Sequence, residues 1–167
     1  MHFLSTQNVV SDLVEDRISN KNAAEYYFAN TIFLTFWSYY SLYFGLASRG
    51  LLFFAECGAV MLATILGITA CYQANGGSSG RDFVLRATCL SFPIMVKVYT
   101  VSALLGWANF YLFYKVFDES SFRSSERILN VVMFLWAPVF AFIFFWCLSV
   151  HLRTVTHRSV PNLVLNN

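Results

Sequence analysis

Two ionisable side chains, Glu56 and Lys97, interrupt stretches of this sequence that are otherwise apolar. A charge at the centre of a bilayer costs roughly 2.5–3.5 kcal/mol on insertion scales, and less near the edge. Such a group is an ion or proton site, a partner for an opposite charge, or a residue at the headgroup boundary. Glu56 lies about 7 Å into its helix, at about 1.5 Å per residue, where Arg49 or a loop arginine could pair with it. Lys97 can reach the interface along its own stem if its span begins at Ile94. Spans two and three enter from opposite sides, so a direct Glu56–Lys97 bridge requires Lys97 to lie deep. Arg86 and Lys97 are three helical turns apart and share a face; with Arg81 they are candidates for an anionic lipid headgroup.

A second candidate is the stretch CYQANGGSSGRDFVLR, residues 71–86. Its Gly77-Ser78-Ser79-Gly80 string is similar to the nucleophile string of intramembrane rhomboid proteases. That resemblance implies Ser79 as nucleophile, with His151, at the end of the last apolar run, as its partner on the same side. Rhomboids have six or more spans and a buried water cavity, and their serine opens a helix within the membrane plane. Here the serine lies in a Gly/Ser connection, and no Lys-Ser/Thr follows the glycines to make a phosphate cradle. A hinge with caps accounts for the same residues. Asn75-Gly76 suits a helix C-cap, and Asp82 and Arg86 form an i,i+4 pair opening the next helix. Other four-span families leave no trace: there are no loop cysteine pairs, no set of intraspan histidines and no glutamate in the first span.

The elements that position these groups are set by hydropathy. The chain has 167 residues, 57% hydrophobic and only 12% charged, against about 25% charged in a soluble domain. The 19% aromatic content suits lipid-facing and interfacial positions. Four apolar runs stand out, at about 27–47, 51–72, 90–114 and 129–150. A helix of about 22 residues reaches about 33 Å, enough for the hydrocarbon core of about 30 Å. The expected fold is all-α: an integral membrane four-helix transmembrane bundle over 27–152, with a tail at 153–167. The turn Ser48-Arg49-Gly50 predicts an antiparallel hairpin of the first two spans. Ser124 or Ser125 is expected to cap the fourth. Pro93 and Pro138 are expected to kink their helices.

The arm, residues 1–26, carries Val9, Val10, Leu13, Val14 and Ile18 at helical spacing, with Asp12, Glu15, Asp16 and Arg17 between them. This predicts a short amphipathic helix. Its acidic polar face, unlike the basic face of surface-bound helices, leaves docking on protein as open as lying on lipid. The same acidic residues argue against a cleavable signal peptide. With four spans, Arg17, Lys21, Arg81, Arg86, Arg153 and Arg158 share one side, and Arg49, Lys115, Arg123 and Arg127 the other. That bias favours both termini in the cytoplasm of a cell with an inner membrane.

In lipid, helices associate through close packing and polar contacts, so small residues mark contact faces. Ala55, Ala59, Ala63 and Gly67 recur every fourth position in the second span and form the expected helix-packing face. Thr31, Ser38 and Gly45 in the first span and Ser102, Gly106 and Asn109 in the third suggest a polar-and-small interior. Cys57, Cys71, Cys89 and Cys147 form no C-x-x-C and read as small hydrophobes. Net charge is +2, without a basic tract for nucleic acid, and no metal or cofactor is implied. The expected partners are the bilayer and a membrane protein or a second copy. The function this favours is non-catalytic helix–helix interaction, as an accessory subunit or an immunity-type protein. The alternative is an oligomeric transporter or channel subunit using Glu56 and Lys97, and an enzyme is the third reading.

Overall fold

The structure, a computed structural model, describes residues 4–43, 51–116 and 122–164. These residues are all-helical, with no strand among them. The helices are α1 (Thr6–Val14), α2 (Asn20–Tyr43), α3 (Leu51–Ala74), α4 (Phe83–Val116) and α5 (Phe122–Val164), with a 3-10 turn at Gly77–Ser79 between α3 and α4. Three helices are long and apolar enough to cross a membrane, over Phe53–Ala74, Phe83–Ala108 and Leu135–Arg158. α2 corresponds to the first expected span. It carries Asn20, Lys21, Asn22, Glu25 and Asn30, which dilute its apolar content, and residues 44–47 lie outside the described residues.

Several helix ends differ from the sequence expectation. α4 begins at Phe83 and runs unbroken through Pro93, so the segment before the proline belongs to the same rod. α5 has 43 residues, about 65 Å at the usual rise, and continues beyond Val150 to Val164. It also runs through Pro138. Its start at Phe122 puts Ser124 and Ser125 inside the helix rather than at its cap.

The packing order is not the chain order. α3 packs on α5, α5 on α4, and α4 on α2, giving a row of helices with α3 and α2 at its ends. α2 lies along α4, and the turn expected at Ser48-Arg49-Gly50 lies outside the described residues. Residues rise together across that pair: Asn30 meets Thr88 and Ser91, and Trp37 meets Tyr99. α2 and α4 are therefore parallel. α3 and α5 are parallel too, because Gly67 and Cys71 face Phe145 while Ala70 and Gln73 face Ser149 and Arg153. Complementary side chains choose the neighbour.

Aromatic rings dominate the α2–α4 contact. Phe33 meets Phe92 and Tyr99 edge-on at 6.3 and 5.5 Å, and Trp37 meets Tyr99 at 4.7 Å. Tyr26, Asn30, Phe33 and Trp37 recur at coiled-coil spacing and make the contact stripe. The polar interior expected from the first span does not form. Thr31 and Ser38 are exposed, and their hydroxyls donate to Tyr27 O and Leu34 O of their own helix. Gly45 lies outside the described residues.

The buried core sits at the end of the helices near the α3–α4 turn. Cys71 of α3, Cys89, Leu90 and Ile94 of α4, and Leu148, Leu152 and Val155 of α5 converge there. α1 closes this core. Ser5 caps it, its Oγ accepting from Asn8 N, and Val9, Val10 and Leu13 pack against α4 and α5. The acidic face points outward, with Arg17 bridging Asp12 and Glu15 at 3.2 and 3.1 Å. Of the two placements open for the arm, this is docking on protein. A helix of nine residues is too short to persist alone in water, so its contacts hold it. Leu13→Asp removes roughly 1.5–3 kcal/mol of apolar burial. Its expected result is rapid hydrogen exchange over residues 6–14 with α4 still protected. Unchanged protection would show that α1 is held by something else.

Candidate functional site

A set of polar contacts surrounds the turn between α3 and α4. α3 stops where Gly76 takes φ +99°, in the left-handed region that glycine adopts without strain. The amides of Asn75 and Gly76 bond to Cys71 O and Gln73 O, which satisfies two terminal carbonyls. Asn75 is fully buried beneath the turn. Its Nδ2 donates to Arg81 O at 3.1 Å, and its Oδ1 accepts from Arg86 Nη1 at 3.4 Å. Gly80 lies so close that a Cβ there would overlap Asn75 O. The turn is a latch built on one asparagine.

This latch accounts for the Gly-x-Ser-Gly string. Ser79 is exposed, and its Oγ donates to Gly76 O at 2.8 Å. His151 is half-buried, with Nδ1 2.7 Å from Cys147 O, one turn back in its own helix. A carbonyl only accepts, so that nitrogen carries the proton. The two residues have separate partners, and the pairing that the rhomboid resemblance implies is not formed.

The intramembrane charges are also apart. Lys97 Nζ donates to Thr6 Oγ1 at 2.8 Å and ties α4 to the start of α1. Glu56 is half-buried in the second turn of α3, a helix that packs on α5. The structure does not bring Glu56 and Lys97 together. The headgroup candidates divide likewise: Arg86 is engaged by Asn75 and Lys97 by Thr6, while Arg81 is exposed.

The expected packing face of α3 has graded surroundings. Gly67 is buried so closely against Phe145 that a Cβ would enter the ring. Cys71, one turn on, donates its thiol to Phe145 O at 3.5 Å. Ala63 and Ala59 are half-buried and, with Pro138 and Phe142 of α5, line an apolar groove of about 380 Å³. Ala55 is exposed. In α4, Ser102 is half-buried, and a Cβ on Gly106 would meet open space; the Asn109 side chain lies outside the described residues.

Asn30 was not singled out by sequence reasoning, yet it carries the polar contact between α2 and α4. Its Nδ2 donates to Thr88 O at 3.0 Å and to Ser91 Oγ at 2.8 Å. Its Oδ1 is buried without a donor. This contact lies beside the turn where Pro93, lacking an N–H, leaves the Cys89 carbonyl without its helical donor. An amide inside an uncharged apolar run was the available signal, because such groups bond across helices. Among the described residues no cluster of three or more metal-ligating side chains occurs.

Neither protein-family models, nor curated proteins, nor solved structures match this chain.

Proposed function

We propose that the chain is a four-span inner-membrane protein, with both termini and the turn after α3 in the cytoplasm. It works without catalysis, by lateral contact with a helix of another membrane protein, as an accessory subunit or an immunity-type protein. The observation that carries this reading is the groove between α3 and α5. It is apolar and floored by the small residues Ala59 and Ala63, and small residues let a second backbone approach closely in lipid. The transporter reading needs Glu56 and Lys97 on one path, and their separate positions on α3 and α4 give it no support.

A photo-crosslinker at position 63 in native membranes tests this. The expected result is one discrete protein adduct that disappears when Ala59→Leu fills the groove. An adduct at twice the 19.1 kDa chain mass makes the partner a second copy. Crosslinking to lipid alone sinks the reading. Glu56→Gln is expected to leave ion flux in proteoliposomes unchanged, and a wild-type flux abolished by it would favour transport.

A further inference from the structure

A second cavity lies between the same two helices, at the end near the α3–α4 turn that the proposed topology places in the cytoplasm. It is an open cleft of about 360 Å³ between the last turn of α3 and α5, lined by Gln73, Gly76, Ser149, Arg153, Thr156 and His157. Arg153 and His157 are one turn apart on α5 and both exposed, and Gln73 faces them from α3. No carboxylate lines the cleft among the described residues. Among the described residues no hydrogen bond or ion pair engages the side chains of Arg153, His157 or Gln73. The hydroxyls of Ser149 and Thr156 donate to Trp146 O and Leu152 O, which leaves the cationic and amide donors to face the opening. The α3 terminus does not need Arg153 as a cap, because the turn amides already bond to its Cys71 and Gln73 carbonyls.

The cleft also has a defined depth. The apolar stretch of α3 ends at Ala74, between the cleft residues Gln73 and Gly76. On α5 the cleft covers the last turns of a stretch that ends at Arg158, so it sits at the end of the two apolar stretches where headgroups would meet it. Ala70 and Ala74 supply the apolar part of its lining, and one turn from Ala70 along α3 the side chain of Leu66 is exposed. We infer that this cleft binds a phosphate group, held by the Arg153 guanidinium with His157 and Gln73. Its source is an anionic phospholipid whose chains lie along α3 and α5. Guanidinium pairs with phosphate through parallel donors, and the volume fits a headgroup with a few waters. This site differs from the Arg81, Arg86 and Lys97 set, and its apolar wall reaches the partner groove at Leu66.

Native mass spectrometry of the full-length chain in a neutral detergent tests it. Phosphatidylglycerol is expected to be retained in preference to phosphatidylcholine. Arg153→Gln should weaken that retention roughly ten- to a hundredfold, the loss of a charge-assisted hydrogen bond. Arg158→Gln, which removes the same charge outside the cleft lining, should retain lipid like the wild type. Near-UV circular dichroism checks each fold, and Gln73→Leu replaces any variant that fails, with a smaller loss expected. Equal retention of both lipids, or the same loss in Arg158→Gln as in Arg153→Gln, overturns the site. Inorganic phosphate provides the second arm. Binding that depends on Arg153, without preferential lipid retention, upholds the phosphate chemistry and overturns the lipid as its source.

Discussion

Gly67→Leu is expected to separate α3 from α5 and to leave the protein polydisperse in detergent. The new side chain has no room, because even a Cβ at this position would enter the Phe145 ring. Overpacking of this kind costs about 1–3 kcal/mol, and more when the neighbour cannot move. Phe145 cannot swing away freely, since it is stacked edge-on against Phe144 at 5.1 Å and packed against the buried core. In lipid the loss is not offset by apolar burial elsewhere, because the bilayer is as apolar as the side chain. Cys71 supplies a local readout. Its thiol is 1% exposed against Phe145 O and should resist maleimide in the wild type and react in the variant. Gly58 lies on the same helix, and a Cβ there would touch nothing within 4 Å. Gly58→Ala should therefore be neutral or slightly stabilising, through helix propensity alone. Equal behaviour of the two variants would mean that the α3–α5 contact is not close at Gly67.

Asn75→Ala is the second large effect. The amide fills a fully buried site and serves as donor to Arg81 O and acceptor from Arg86. Alanine leaves both groups without their partner, at about 1–3 kcal/mol for each unsatisfied group. The expected result is a lower thermal midpoint with faster tryptic cleavage after Arg81 and Arg86. Asn75→Asp keeps the acceptor and loses the donor, so it should fall between alanine and the wild type. Ser79→Ala should change neither readout, because it removes only a hydroxyl bonded within an exposed turn. Cleavage kinetics that match across all these variants would rule out the latch.

The position of the core has a physical cause. Apolar burial drives association only where water is the alternative solvent. The tightly packed residues, from Val9 and Leu13 to Leu90, Leu152 and Val155, lie at the end where the helices leave the apolar windows. Farther along, Phe54, Met61, Leu104 and Trp107 stay exposed, as lipid-facing side chains should. The same reasoning explains the docking of α1. Its valine and leucine face finds a wall on α4 and on the part of α5 that runs beyond Val150. A hydropathy reading assigns that part of α5 to a tail, because Arg153, His157 and Arg158 interrupt the run.

Composition and run length alone determined that this is an all-helical chain with helices able to cross a membrane. Those properties follow from local hydropathy and from the need to satisfy backbone groups within each segment. The C-cap at Gly76 and the helical arm were legible for the same reason, since both depend on residues close in sequence. Which helices touch was decided only in three dimensions. The pairing of α2 with α4 depends on Asn30, Phe33 and Trp37 meeting Thr88, Phe92 and Tyr99, residues some sixty positions away. The separation of Glu56 from Lys97, the engagement of Arg86 by Asn75, and the cleft between Gln73 and Arg153 follow from that arrangement. Periodicity shows which face of a helix is available for contact. Only the fit of side chains across the gap decides what covers it.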